Sequence, residues 1–140
     1  MTTEPNVIML VDDDFDFLTM NRSVFETNGF RVVCVHAPGE ALAQMAEHRP
    51  DLVVTDLMMQ DLDSGFSLAR QIKDDPRFGG VPVILVTAIG SIKGFDISPR
   101  TSADFEAMCV DAYFEKPVDA GVLVAKVREL LGESGGKGPT

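Results

Sequence analysis

Four groups of side chains in this sequence could act together on one ligand. Asp12-Asp13-Asp14 directly follows the apolar run Val7–Val11, and Asp56 follows Leu52–Thr55. Thr87 follows Val83–Val86, and Lys116 comes just after the shorter run Tyr113-Phe114. Acids, a hydroxyl and an amine in these places suit phosphoryl chemistry once a cation is added. Carboxylates brought together repel one another, and without a counter-charge one of them is forced to hold a proton. They also repel phosphate. A hard divalent ion with oxygen ligands removes both conflicts, and an acidic cluster with open water positions suits Mg2+. With that charge present, Asp56 can act as a nucleophile toward phosphorus and form an aspartyl phosphate. Phosphoryl transfer needs mainly positioning and charge neutralisation. The ion, the Lys116 ammonium and the Thr87 hydroxyl would each take one phosphoryl oxygen.

For these residues to meet, each must leave a strand at the same edge of one sheet. The apolar runs are rich in Val, Ile and Leu and do not alternate with polar residues, which marks strands covered on both faces, as in a parallel sheet. Helical spacing lies between them. Asp14 is a candidate N-cap for a helix that turns Phe17, Met20, Val24 and Phe25 inward and stops before Asn28-Gly29. Pro38 suits a first helical position ahead of Ala41, Leu42, Met45 and Ala46. Phe66, Leu68, Ala69 and Ile72 mark a third helix that ends near Asp75-Pro76. A last helix from about Val118 carries Leu123, Val127, Leu130 and Leu131 on one face. Alternating strands and helices predict a three-layer α/β sandwich with right-handed crossovers. In such open sheets the site lies at the carboxyl ends of the strands.

Composition sets the outer limits. The chain has 140 residues, is 45% hydrophobic and carries a net charge of −10, with 12 basic against 22 acidic residues. That is one domain's length, able to bury a core without staples. The negative field disfavours nucleic acid and anionic membranes as partners. Cys34 and Cys109 lack zinc-type spacing and read as buried, inert, reduced thiols, which suits a cytoplasmic location. No apolar run approaches the length of a membrane span, and residues 1–6 lack the positive start of a signal peptide. The expected organisation is an extension over 1–6, a domain over 7–131 and a Gly-rich tail over 132–140, with no effector domain. The turn after the first strand contains no glycine, so neither a dinucleotide fingerprint nor a P-loop is present.

The motifs Val11-Asp12-Asp13-Asp14, Thr55-Asp56-Leu57-Met58-Met59, Val86-Thr87-Ala88 and Tyr113-Phe114-Glu115-Lys116-Pro117 together resemble the receiver domain of two-component response regulators, of the single-domain type. Each motif alone is weak, but four in the correct order, spread from about Val7 to Leu131, are specific. The resemblance implies a flavodoxin-like doubly wound parallel sheet, (βα)5, with strand order 2-1-3-4-5. It implies phosphoryl transfer from a sensor histidine kinase or a phosphotransfer protein onto Asp56, with Mg2+ (or Mn2+) required. Asp13 and Asp56 would be direct metal ligands, Met58 would add its backbone carbonyl, and Asp12 would act through a metal-bound water. Thr87 and Tyr113 match the family's switch pair, a two-state element biased by the new dianion. The Lys116–Pro117 bond would be cis. Output would pass through protein contact with an unidentified downstream target. Such a module catalyses only its own phosphorylation and dephosphorylation.

Departures from the family pattern are also visible. Gln60 replaces the usual proline, and Asp63-Ser64-Gly65 is one residue longer than the usual turn. Met58 and Ile89 occupy the two positions that in the family modulate how quickly water reaches the acyl phosphate, and both are apolar here, which predicts slow self-hydrolysis. Between Thr87 and Lys116 lie 28 residues, longer than usual by roughly two helical turns. Gly90 to Arg100 reads as a loop and Ser102 to Val110 as a helix with Phe105, Met108 and Cys109 inward. Simpler roles account for other residues: Asp14 as a cap, Asp61 and Asp63 as solvated loop acids, His36 and His48 as exposed residues without partners, and Met9, Met20 and Met45 as core filling. A phosphatase that passes through an aspartyl phosphate would need a second acid where Met58 stands.

Overall fold

A computed structural model describes residues 6–56, 64–87, 110–116 and 118–132. Five parallel strands form one sheet in the order β2-β1-β3-β4-β5. They are β1 (Val7–Val11), β2 (Arg31–Val35), β3 (Leu52–Thr55), β4 (Val83–Thr87) and β5 (Ala112–Glu115). The described helices are α1 (Phe15–Thr27), α2 (Ala41–His48), α3 (Ser64–Asp74) and α4 (Ala120–Leu130), with a 3-10 turn at Pro38–Glu40 ahead of α2.

The apolar runs become strands because alternate side chains meet different helices. Met9, Val11, Val53, Val83 and Leu85 face α2 and α3, where Met45, Leu68 and Ile72 complete a first core. Ile8, Leu10, Val54, Ile84 and Val86 face α1 and α4, where Phe17, Phe25, Leu123 and Val127 complete a second. With both faces covered, no strand position between β1 and β4 needs a polar residue.

Local signals set the helix ends. The Asp14 carboxylate accepts from the N–H groups of Asp16 and Phe17, at 3.0 and 3.3 Å, and starts α1. At the other end Gly29 adopts φ +93°, and the Phe30 N–H bonds to the Phe25 carbonyl. The Phe25 and Phe30 rings then meet edge to face at 5.6 Å, the apolar contact that accompanies such a stop. Asp119 caps α4 through Gly121 and Val122, so this helix begins at Ala120, two residues later than the apolar spacing predicts.

Some expectations need correction. Met20 is 57% exposed, and Leu18 and Asn21 fill the inward positions of α1 in its place. The apolar stripe is displaced because α1 sits in the angle between β2 and α4. Ala46 points to solvent as well, so α2 holds the sheet mainly through Ala41 and Met45. Cys34 is half-buried rather than buried because β2 is an edge strand. His36 is exposed but not alone, since its ring lies 4.4 Å from that of Phe15. The readings for the 90–109 segment, Met58, Gln60, Asp61, Asp63, Ile89, the Lys116–Pro117 bond and residues 133–140 fall outside the described residues.

Asn21 is nearly fully buried. Its Nδ2 donates to the Phe17 carbonyl at 2.9 Å, while its Oδ1 has no partner among the described residues. A buried acceptor left unpaired is expensive, and a leucine has nearly the same size without one. Asn21→Leu should raise the unfolding free energy by about 1 kcal/mol. The check is a urea titration, with a higher midpoint and an unchanged slope.

Candidate functional site

The register of the sheet brings the predicted residues to one edge. Val11 pairs with both Val35 and Thr55, so β1, β2 and β3 end side by side. The Asp12 N–H continues the ladder to the Val35 carbonyl, and the Asp56 N–H continues it to the Val11 carbonyl, each at 3.0 Å. These bonds fix both aspartates immediately beyond the strands. On the other side Thr87 ends β4 in register with Glu115, one residue before Lys116.

The acids converge. One carboxylate oxygen from each of Asp12, Asp13 and Asp56 lies within 4.8 Å of the others. Asp12 has no exposed surface, Asp56 is 8% exposed, and Asp13 opens to solvent. The Lys116 ammonium bridges the two buried acids, at 2.8 Å from Asp12 Oδ2 and 3.4 Å from Asp56 Oδ2. Asp12 Oδ1 accepts the Asp14 N–H at 2.9 Å, so the first acid is held at both oxygens.

Burial pushes the Asp12 carboxyl up from 3.8 to about 6. The Lys116 and Asp14 hydrogen bonds pull it back, and the Asp56 charge pushes it further up. For Lys116, burial favours the neutral amine, but the bonds and charges of Asp12 and Asp56 together outweigh it and keep the ammonium more firmly protonated than usual. The cluster sets three carboxyl groups against one ammonium, and closely spaced hard oxygens that outnumber the positive charge fit one divalent cation of the Mg2+ type.

A family model described as response regulator receiver domain matches residues 8–128. The chain belongs to that family. This receiver is 28% identical over 130 residues to the polar-differentiation response regulator DivK of Brucella anthropi, an alignment covering 93% of this chain and 99% of that one. Among solved structures it is similar to a CheY-like receiver domain protein from Methanospirillum hungatei, at a TM-score of 0.76 and 26% identity, covering 92% and 95% of the two chains. A two-component response regulator from Clostridium difficile shares the fold at a TM-score of 0.75 and 23% identity, covering 90% and 95%. The predicted flavodoxin-like architecture and strand order are those observed. Receiver domains are signalling modules of two-component systems rather than enzymes with a turnover substrate.

Of the receiver's predicted site residues, Asp12, Asp13, Asp56 and Lys116 meet in one pocket. Thr87 lies at the same sheet edge by its strand position, with its side chain outside the described set. Tyr113, on β5, packs against the core beneath α2 and α3. Met58 lies outside the described residues. Beside the pocket an apolar groove of about 560 Å3 runs between α1 and the segment leading into α4, lined by Asp14, Asp16, Phe17, Met20, Lys116 and Val118. The tertiary structure also adds Phe17 to the site, because the Lys116 ammonium sits 4.5 Å above its ring. Periodicity marks Phe17 only as a core residue of α1, and nothing in the sequence links it to a lysine 99 positions later. None of the described helices is long and apolar enough to cross a membrane.

Proposed function

We propose that this receiver accepts a phosphoryl group onto Asp56 from the phosphohistidine of a sensor histidine kinase or phosphotransfer protein, and that the change alters its binding to a downstream protein target in the cytoplasm. The working unit is the segment 7–131. The observation that carries this reading is the meeting of Asp12, Asp13 and Asp56 in one cluster, with the Lys116 ammonium bridging Asp12 and Asp56. In this reading Asp12, Asp13, Asp56 and the Met58 carbonyl hold Mg2+ (or Mn2+), directly or through water. When bound, the ion supplies positive charge to the phosphoryl oxygens.

The chain's own groups do the rest. An Asp56 oxygen forms the new O–P bond as the N–P bond of the donor breaks, and the electron pair of that bond returns to the imidazole nitrogen. Lys116, already 3.4 Å from Asp56 Oδ2, donates to a second phosphoryl oxygen. The Thr87 hydroxyl donates to a third, and Tyr113 follows it inward as the switch. The groove beside Lys116 gives a donor protein an apolar surface next to the nucleophile.

Incubation of the purified protein with acetyl phosphate and Mg2+ should yield one phosphoryl adduct by intact mass, and EDTA should prevent it. Absence of the adduct with Mg2+, or equal uptake in EDTA, would overturn the reading.

A further inference from the structure

Lys116 is held by a closed circuit of contacts that runs through an aromatic ring. Its Nζ donates to Asp12 Oδ2 at 2.8 Å, and Asp12 Oδ1 accepts the Asp14 N–H at 2.9 Å. The Asp14 carboxylate accepts the Phe17 N–H at 3.3 Å, and the Phe17 ring lies 4.5 Å beneath Nζ. Phe17 is 8% exposed and packs in the core formed by α1, α4 and the sheet, so its position is fixed from below. Asp14 thus ties the ring's helix to the very carboxylate that the ammonium touches.

From this geometry we infer that Phe17 is a positioning residue for Lys116, holding its ammonium over the acidic cluster by a cation–π contact. The inference rests on the role given to Lys116 in the proposed function. An aromatic face attracts an ammonium without accepting any particular N–H, and the attraction strengthens when the pair is shielded from water. An oxygen in the same place would occupy one of the three donors. Over a ring, Lys116 keeps all of them and can turn from Asp12 toward a group on Asp56 without losing its seat. A leucine at this position would fill the core equally well but leave the ammonium tethered by the carboxylates alone.

The test replaces Phe17 with phenylalanines carrying one, two and three ring fluorines, which drain the π face with little change of volume. The Phe17→Leu variant is made alongside. Two quantities are measured: phosphoryl uptake from acetyl phosphate with Mg2+, and the NMR shift of the Lys116 ε-methylene protons in the unphosphorylated, metal-free protein. Uptake should fall stepwise along the fluorine series, to about 5-fold below wild type with three fluorines. The unfolding midpoint should stay constant across the series, and the upfield ring-current shift of Lys116 should vanish in Phe17→Leu. Equal uptake across the series overturns the inference, as does a Lys116 methylene without a ring-current shift in the wild type. If Phe17→Leu does not fold, the fluorinated series decides. A wild-type protein that takes up no phosphoryl group removes the reading of Asp56, and the Lys116 shift then decides the ring contact by itself.

Discussion

Asp56→Asn is expected to abolish phosphoryl uptake from acetyl phosphate, a loss on the order of 10³-fold or more, because it removes the nucleophile itself. The exchange is nearly isosteric. The Asp56 N–H keeps its bond to the Val11 carbonyl, and Lys116 keeps its shorter contact to Asp12. The pocket should therefore retain its shape while losing one negative charge. That charge helps to push the Asp12 carboxyl up, so the Asp12 carboxyl should titrate lower in the variant. Intact mass after timed incubation gives the rate, and NMR titration of the Asp12 carboxyl carbon gives the second effect. Labelling of Asp56→Asn at the wild-type rate would place the nucleophile elsewhere, with the exposed Asp13 next in line.

The second large effect is on stability as a function of pH, and it centres on Asp12. Its folded-state value, about 6, lies above its ordinary 3.8 because burial outweighs the help of Lys116. The folded protein therefore binds this proton more tightly than the unfolded chain does. A contribution of that sign is fully present below pH 3.8 and is lost as pH rises through about 6. Without metal, ionising Asp12 costs about 3 kcal/mol at most by pH 7. Asp12→Asn should flatten this part of the profile between pH 4 and 7 and make the metal-free protein more stable than wild type at pH 7. Urea unfolding of both proteins in EDTA across that range is the measurement, and parallel profiles would refute it. Mg2+ should reverse the trend, stabilising wild type at pH 7 but losing affinity below about pH 6, where it competes with the Asp12 proton. Asp12→Asn should lose most of that stabilisation.

Much of the receiver can be read from one dimension. Uninterrupted apolar runs identify β1, β3 and β4, since a strand covered on both faces has no solvent side to encode, and the shorter Tyr113-Phe114 run marks β5 at the sheet edge. Asp14 and Asn28-Gly29 announce the ends of α1 because capping is a matter of a few adjacent residues. The same locality fails for Met20. Its spacing matches the apolar stripe of α1, but the stripe that is buried depends on where β2 and α4 lie, and Met20 ends up lining the open groove. His36 misleads for a related reason, since its ring partner Phe15 belongs to another element.

Residue types and their places after strands were enough to name Asp12, Asp13, Asp56 and Lys116, because a parallel sheet delivers every strand exit to one edge. What the linear order leaves open is distance and solvent. Lys116 stands 60 positions from Asp56 and 104 from Asp12, yet one ammonium reaches both. Asp12 and Asp13 are neighbours of identical type, but only the fold buries the first and exposes the second. Burial changes the work of charging a carboxylate, and cation–π attraction depends on a few ångströms through space. Those energies arise only when separate elements pack, so Asp12's raised carboxyl and the seat of Lys116 on Phe17 belong to the tertiary structure alone.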